Sequence, residues 1–352
     1  MWQLVADDVE ALALGASMLG SGGGGSTRVA ALMAERLVRE AGSIDVLDAN
    51  EMPQGAYAAP VGLIGSVTVF EEKPPRGDEV SRALGLLERH TGRKLHALLP
   101  FESAGVNALL AVCSAASLKL PLVDADGMGR AFPQLDQTVF TLHDLPVSPM
   151  VLSDEKGSLV VVDGVNHLFA EELARSNVVT MGGWAMLVMA PQSASDLVRF
   201  AIPHSIRRAV EVGRLMKQGG IPALLTHAGG RALFRGRIVE VSREQRGRFG
   251  GGSAAVQHVD TESGRLMRIE FQNENPVAVE DGVVRACVPD IICLVDAERM
   301  RPVLSEELRY GLEVEVIVLP CPLAWRTPSG LGPVGPRAFG YDVPYVIPRG
   351  EP

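Results

Sequence analysis

Three short segments of this chain carry the residue types that could do chemistry. Glu102 is followed by Ser103, Gly105 and Asn107; Asp124, Asp126 and Arg130 lie within Asp124-Ala125-Asp126-Gly127-Met128-Gly129-Arg130; and Gly20-Ser21-Gly22-Gly23-Gly24-Gly25 places five glycines in six positions. Carboxylates gathered in one place repel, which raises the pKa of at least one and lets it exchange protons near neutrality. Asp124 or Asp126 would then serve as base and Glu102 as acid or orienting group. Arg130 offers a planar fork for a substrate carbonyl or carboxylate, with Asn107 on the same polar edge. The backbone amides of Gly22, Gly23, Gly24 and Gly25 would meet developing negative charge. Such a mechanism needs no cofactor. A divalent metal is the alternative, with Asp124 and Asp126 as its ligands, although Asp-Ala-Asp-Gly lacks the remaining oxygens of a calcium loop.

Glycine contributes no side chain to a core and loses the most backbone entropy on folding, so this run reads as a place where backbone approaches a ligand or another segment closely. Ser26 or Thr27 would cap the helix that follows. The spacing satisfies G-x-G-x-x-G, but a dinucleotide fingerprint follows a strand, whereas Val9, Leu12, Ala16 and Leu19 before this run have helical spacing. No Gly-Lys-Ser/Thr follows, so the phosphate loop of NTPases is not matched either.

The elements that must position these residues alternate. Ile44–Leu47, Leu63–Phe70, Leu95–Pro100 and Leu120–Val123 read as strands, and Glu79–Arg89 and Val106–Ser117 as helices. That order implies an α/β domain, a three-layer α/β/α arrangement with a mixed or parallel sheet, over residues 1–165. Ligands of open α/β sheets bind beyond the carboxyl ends of the strands. Glu102 and Asp124 stand at two such ends, so Glu102, Asp124, Asp126 and Arg130 are expected to converge. Val178–Thr180 reads as a strand, and Ser205–Lys217 as an amphipathic helix stopped by Gly219-Gly220. From about 232 to 320 short β-branched segments alternate with turn residues, which predicts a β-rich C-terminal domain within 166–352, a small barrel or sandwich. The Pro- and Gly-rich tail after 320 is expected to be irregular, with Trp325, Phe339, Tyr341 and Tyr345 packing it onto the body.

The 352 residues carry a formal net charge of −9, which disfavours nucleic acid as a partner. Four scattered cysteines lack the spacing of zinc sites or a disulfide framework. The acidic N-terminus does not resemble a signal peptide, and the longest apolar run, Met181 to Ala190, is too short to span a bilayer. The expected setting is cytoplasmic, with a small-molecule substrate and no membrane partner. A homo-oligomer is the general prior for a soluble chain of this kind.

Taken together, Leu19–Gly25, Asp124–Pro133 (D-A-D-G-M-G-R-A-F-P), Phe271–Asn275 (F-Q-N-E-N), Val288–Ile292 (V-P-D-I-I), Leu308–Gly311 and Gly335–Asp342 resemble the S-methyl thiohydantoin desulfurase family, long grouped with hydantoin-utilisation proteins. The resemblance runs over nearly the whole chain. It implies an α/β/α N-terminal part, a β-rich C-terminal part, and a hydrolase that exchanges the methylthio group of an S-methylated thiohydantoin for oxygen, releasing methanethiol. Two rival readings remain at the level of sequence: a non-catalytic subunit that partners a hydantoinase-like enzyme, and a nucleotide-binding protein.

Overall fold

The computed structural model describes residues 1–246, 249–260, 262 and 264–347. Its first sheet is mixed. Four strands run parallel in the spatial order Ile44–Leu47, Leu122–Val123, Ala97–Pro100 and Tyr57–Gly65. Trp2–Leu4 adds antiparallel at one edge. Beyond Tyr57–Gly65, strands Trp184–Val188, Met150–Ser153 and Leu159–Val162 continue the sheet antiparallel.

Successive side chains of a strand point to opposite faces, and both faces of this sheet are covered. Ala59, Val61, Leu63, Leu98, Val151 and Met186 pack with helices Val9–Leu19, Arg28–Ala41, Glu79–Thr91, Gly105–Leu118 and Ser205–His227. Ala58, Ile64, Ala97, Leu99, Leu152 and Leu187 pack with helices His167–Met181 and Ala194–Phe200 and with the C-terminal tail. Burial on both faces is why the sheet strands read as near-continuous apolar runs. The result is the expected three-layer α/β/α arrangement.

The second sheet is wholly antiparallel, eight strands from Arg231–Arg246 to Glu313–Leu319. Phe234, Ile238, Val256, Ile269, Ala286, Leu294 and Val316, drawn from across that single sheet, meet in one apolar cluster. The sheet therefore curls about its own core in the manner of a barrel. No second sheet faces it, among the described residues, to make a sandwich.

Two local expectations are corrected. Leu63–Phe70 is not one strand: Gly65, at φ +117°, ends the strand, and Val67–Glu72 is a short helix capped by Ser66, whose Oγ accepts from Val69 N–H. Val178–Thr180 is the last turn of helix His167–Met181, whose end is set by Gly182 in the left-handed region. Gly219-Gly220 ends the regular helix that begins at Ser205, as expected: Gly220 has non-helical backbone, and a second helical stretch then runs through Pro222 to His227. Trp184–Val188 and Gln192–Ser193 pair within the first sheet, so the α/β body draws on chain beyond residue 165. The tail is anchored as expected but is not irregular throughout, since it holds helix Pro328–Val334 between 3-10 turns at Leu323–Arg326 and Pro336–Phe339: Trp325 is fully buried and donates from Nε1 to Met128 O at 2.8 Å, and Tyr345 donates its hydroxyl to Asp290 at 2.8 Å. Residues 348–352 of that tail lie outside the described residues.

Candidate active site

The parallel strands all deliver their carboxyl ends to one edge of the sheet, and a cavity of about 520 Å³ opens there. Its lining comes from many parts of the chain, among them four that bring polar groups. The glycine loop supplies Gly22–Gly25, the end of strand Ala97–Pro100 supplies Phe101 and Glu102, helix Gly105–Leu118 supplies Asn107, and the curled sheet supplies Asn273 and Glu274. The volume lies in the range that small-molecule sites occupy.

Glu102 is 4 % exposed. Asn107 Nδ2 donates to its Oε1 at 2.6 Å, and Phe132 N–H approaches Oε2 at 3.3 Å. Asn107 itself is oriented by Leu63 N–H, which donates to its Oδ1 at 2.7 Å, so the amide nitrogen must face Glu102. Burial pushes the Glu102 carboxyl up to about 8, opposed by the Asn107 bond and assisted by the charge of Glu274. Near neutral pH it is a carboxylic acid with a proton to give.

The glycine loop is seated by backbone contact. Val106 N–H donates to Gly24 O at 2.9 Å, Asn275 N–H to Ser21 O at 2.7 Å and Ser305 N–H to Gly22 O at 2.8 Å. Gly24 and Gly105 are both in the left-handed region, at φ +74° and +52°, and their backbones touch: a Cβ on Gly105 would stand 2.2 Å from Gly24 O. Only glycine permits that approach. The N–H groups of Gly24 and Gly25 find no acceptor among the described residues, so they remain available to a ligand in the cavity. Thr27 stands at the N-cap of the next helix but makes no side-chain cap, and Ser26 Oγ reaches Arg28 N–H only at 3.5 Å.

Of the residues expected to converge, Glu102, Asn107 and the four glycines do so; Asp124, Asp126 and Arg130 are fully buried and do not line the cavity. Asp124 turns to the far side. Its Oδ1 accepts from Ile206 and Arg207 N–H at 3.0 and 3.1 Å, holding the start of helix Ser205–His227, and its Oδ2 lies 3.5 Å from Arg207 Nε. A carboxylate so paired is a helix anchor, which corrects the expectation that it acts as base. Asp126 accepts from Ser103 N–H at 2.6 Å and from Gly129 N–H at 2.9 and 3.0 Å. It fixes the turn that carries Glu102. Burial raises its carboxyl to about 7. Arg130 is spent largely on backbone: Nε donates to Ala131 O, and Nη1 to Pro289 O and Asp290 O. It binds the two sheets together and has no contact with the cavity.

The two aspartates expected to share a metal therefore face different ways. The grouping close enough for one ion, among the described residues, is Asp48, Asp124 and His204, whose ligand atoms lie within 4.8 Å of one another. Arg207 already lies 3.7 Å from Asp48 and 3.5 Å from Asp124, so the positive charge a cation would bring is supplied there.

Glu274 is the participant that sequence reasoning passed over. It was visible only as part of a polar cluster at a strand end, Phe271–Asn275. The curled sheet delivers it across the seam against Gly23, 2 % exposed, with its carboxyl raised to about 7 by burial and drawn back by Arg130.

Matches to known proteins agree with this architecture. The N-terminal domain of the S-Me-THD-like family matches residues 7–164 and the C-terminal domain of the same family matches 165–347. A crystal structure of a protein from Chromobacterium violaceum has the same fold: TM-score 0.82 at 23 % identity, covering 98 % of this chain and 99 % of that one. No curated protein matches. Among the described residues no helix is long and apolar enough to cross a membrane.

Proposed function

Since the chain belongs to the S-Me-THD-like family, we propose that it hydrolyses a small five-membered cyclic amide, replacing the methylthio group of an S-methyl-thiohydantoin by oxygen. One observation carries this reading. A protonated, buried Glu102, locked by Asn107, stands in the same cavity as the unbonded N–H groups of Gly24 and Gly25. An acid beside a set of preorganised amide donors suits addition of water to a C=N carbon, where negative charge develops on the ring nitrogen.

In this scheme the ring lies between the glycine loop and Glu102. Water adds to the carbon that bears sulfur, and the electrons of the C=N bond move to nitrogen. Glu102 gives that nitrogen its proton. The C–S bond then breaks as the C=O bond forms, the proton that water lost on addition leaves with the sulfur as methanethiol, and the hydroxyl proton of the adduct restores Glu102. Asp126 takes part only by holding the Glu102 turn.

The direct test incubates the purified protein with S-methyl-thiohydantoin propionate and follows methanethiol with a thiol reagent. Thiol release that Glu102→Gln abolishes supports the assignment. Release at the wild-type rate from Glu102→Gln refutes the role of Glu102. No release by the wild-type protein refutes the substrate class.

A further inference from the structure

Glu274 lines this cavity, and its Oε2 is buried without any hydrogen-bond partner, as is Nη2 of Arg130, which lies outside the cavity. Buried polar atoms are normally satisfied, and such exceptions mark a missing water or a functional constraint. Here they have complementary character, an acceptor and a donor. They lie on the two partners whose mutual attraction is the largest charge effect on each. They do not form an ion pair within 4.0 Å, and Arg130 has no carboxylate in contact among the described residues.

We propose that Glu274, which lines this cavity, is its general base, its carboxylate holding the attacking water, with buried Arg130 as the positioning residue behind it. The inference rests on the hydrolytic reading above and assigns a residue that reading leaves open. The electrostatic logic follows from burial. Arg130 is 0 % exposed and cannot give up its proton, so its charge needs a buried counter-charge. Glu274 is the nearest candidate by influence, while Glu102 shares no such partner and holds its proton. Burial raises both carboxyl groups, Glu102 to about 8 and Glu274 to about 7, and the charge of Arg130 draws Glu274 back, so Glu274 is the one that gives up its proton first, the order a base and an acid require. Arg175 on helix His167–Met181 is the other cation acting on Glu274.

The protons balance over one turnover. Water gives one proton to Glu274 as its oxygen bonds to the ring carbon, and Glu102 gives its proton to the ring nitrogen. When the C–S bond breaks, Glu274 passes its proton to the leaving sulfur. The remaining hydroxyl proton goes to Glu102. Both groups return to their starting states, and no oxidant or reductant is needed.

Two measurements on the full chain test this. In turnover of S-methyl-thiohydantoin propionate, Glu274→Gln should lower kcat about 100-fold or more with KM within about threefold, the scale of a lost general base. Glu274→Asp, which keeps the charge but withdraws it, should fall between. The second readout is independent of substrate: an infrared pH titration of the protonated-carboxyl band. Arg130→Lys, and Arg130→Gln if it folds, should move the Glu274 midpoint upward, by about one pH unit or more for the glutamine variant. The acidic limb of the kcat profile should move with it, a shift that loss of packing alone would not produce. Glu274→Gln and Glu274→Asp both retaining wild-type kcat would overturn the base, and an unmoved midpoint in both Arg130 variants would overturn the pairing. A wild-type protein that never turns over would overturn the hydrolytic reading, and the base with it.

Discussion

Substituting Glu102 by glutamine exchanges an ionisable buried group for a permanently neutral one of nearly the same shape, so its effect on stability must change sign with pH. The ordinary value of 4.5 rises to about 8 in the folded protein. At about 1.4 kcal/mol per pH unit, that rise corresponds to roughly 5 kcal/mol. Below 4.5 both folded and unfolded chains hold the proton and this group contributes no penalty. Between 4.5 and 8 only the folded chain does, and stability falls as pH rises. The variant has no such slope at this position.

It has a fixed cost instead. Its amide oxygen can accept from Asn107 Nδ2, but its NH₂ then meets Phe132 N–H, which loses its acceptor. One buried unsatisfied donor costs about 1–3 kcal/mol. Glu102→Gln should therefore be less stable than wild type by about 0–2 kcal/mol at pH 5 and more stable by about 2–4 kcal/mol at pH 9, crossing near pH 6. Urea unfolding of both proteins at pH 5, 7 and 9 measures this directly. A difference between the two proteins that stays constant over that range would refute the claim that Glu102 is a buried neutral acid.

Asp124→Ala should lower stability by about 1–2 kcal/mol through loss of the acceptor for Ile206 and Arg207 N–H. Its kcat at a temperature where it is folded should stay within about twofold of wild type, and a large loss of kcat would return Asp124 to the chemistry. Gly105→Ala should cost more than about 2 kcal/mol, because its left-handed backbone is strained for alanine and the new Cβ would press on Gly24 O. A thermal melt with unchanged Tm would contradict the contact. Trp325→Ala should cost about 3–5 kcal/mol by leaving a cavity beneath the tail and an unbonded Met128 carbonyl. Denaturant unfolding that shows less than about 1 kcal/mol would mean the tail is not part of the cooperative core.

The residues that sequence pattern located well are those whose role is local. Ile44–Leu47 and Leu266–Phe271 have the bounds that their apolar patterns suggest, and the β-branched rhythm after residue 230 is a single antiparallel sheet. Glu102 was legible because a strand of known direction places its carboxyl end, and Asn107 because it lies in the first turn of the helix that follows. Errors arose where a neighbour outranked local preference. Leu63–Phe70 divides at Gly65, where a Cβ would run into Gly183 O just before the adjacent strand, and Val178–Thr180 adopts helix although its β-branched residues favour strand.

The sequence by itself determined which groups lie at the carboxyl edge of the sheet and that a glycine-lined backbone approaches them. Periodicity and strand direction are properties of a segment, and they are enough for that. Only the tertiary structure decided where each carboxylate points. Asp124 and Asp126 are two residues apart and both buried, yet one faces helix Ser205–His227 and the other the Glu102 turn. Glu274 reaches the cavity from more than 160 residues away, because the curled sheet packs its Asn273–Asn275 segment against the glycine loop. Alternation along one strand would set residues two apart on the same side; Asp124 lies between the separate strands Leu122–Val123 and Ala125–Asp126, so each carboxylate turns to whatever packs beside it. No spacing in one chain encodes that.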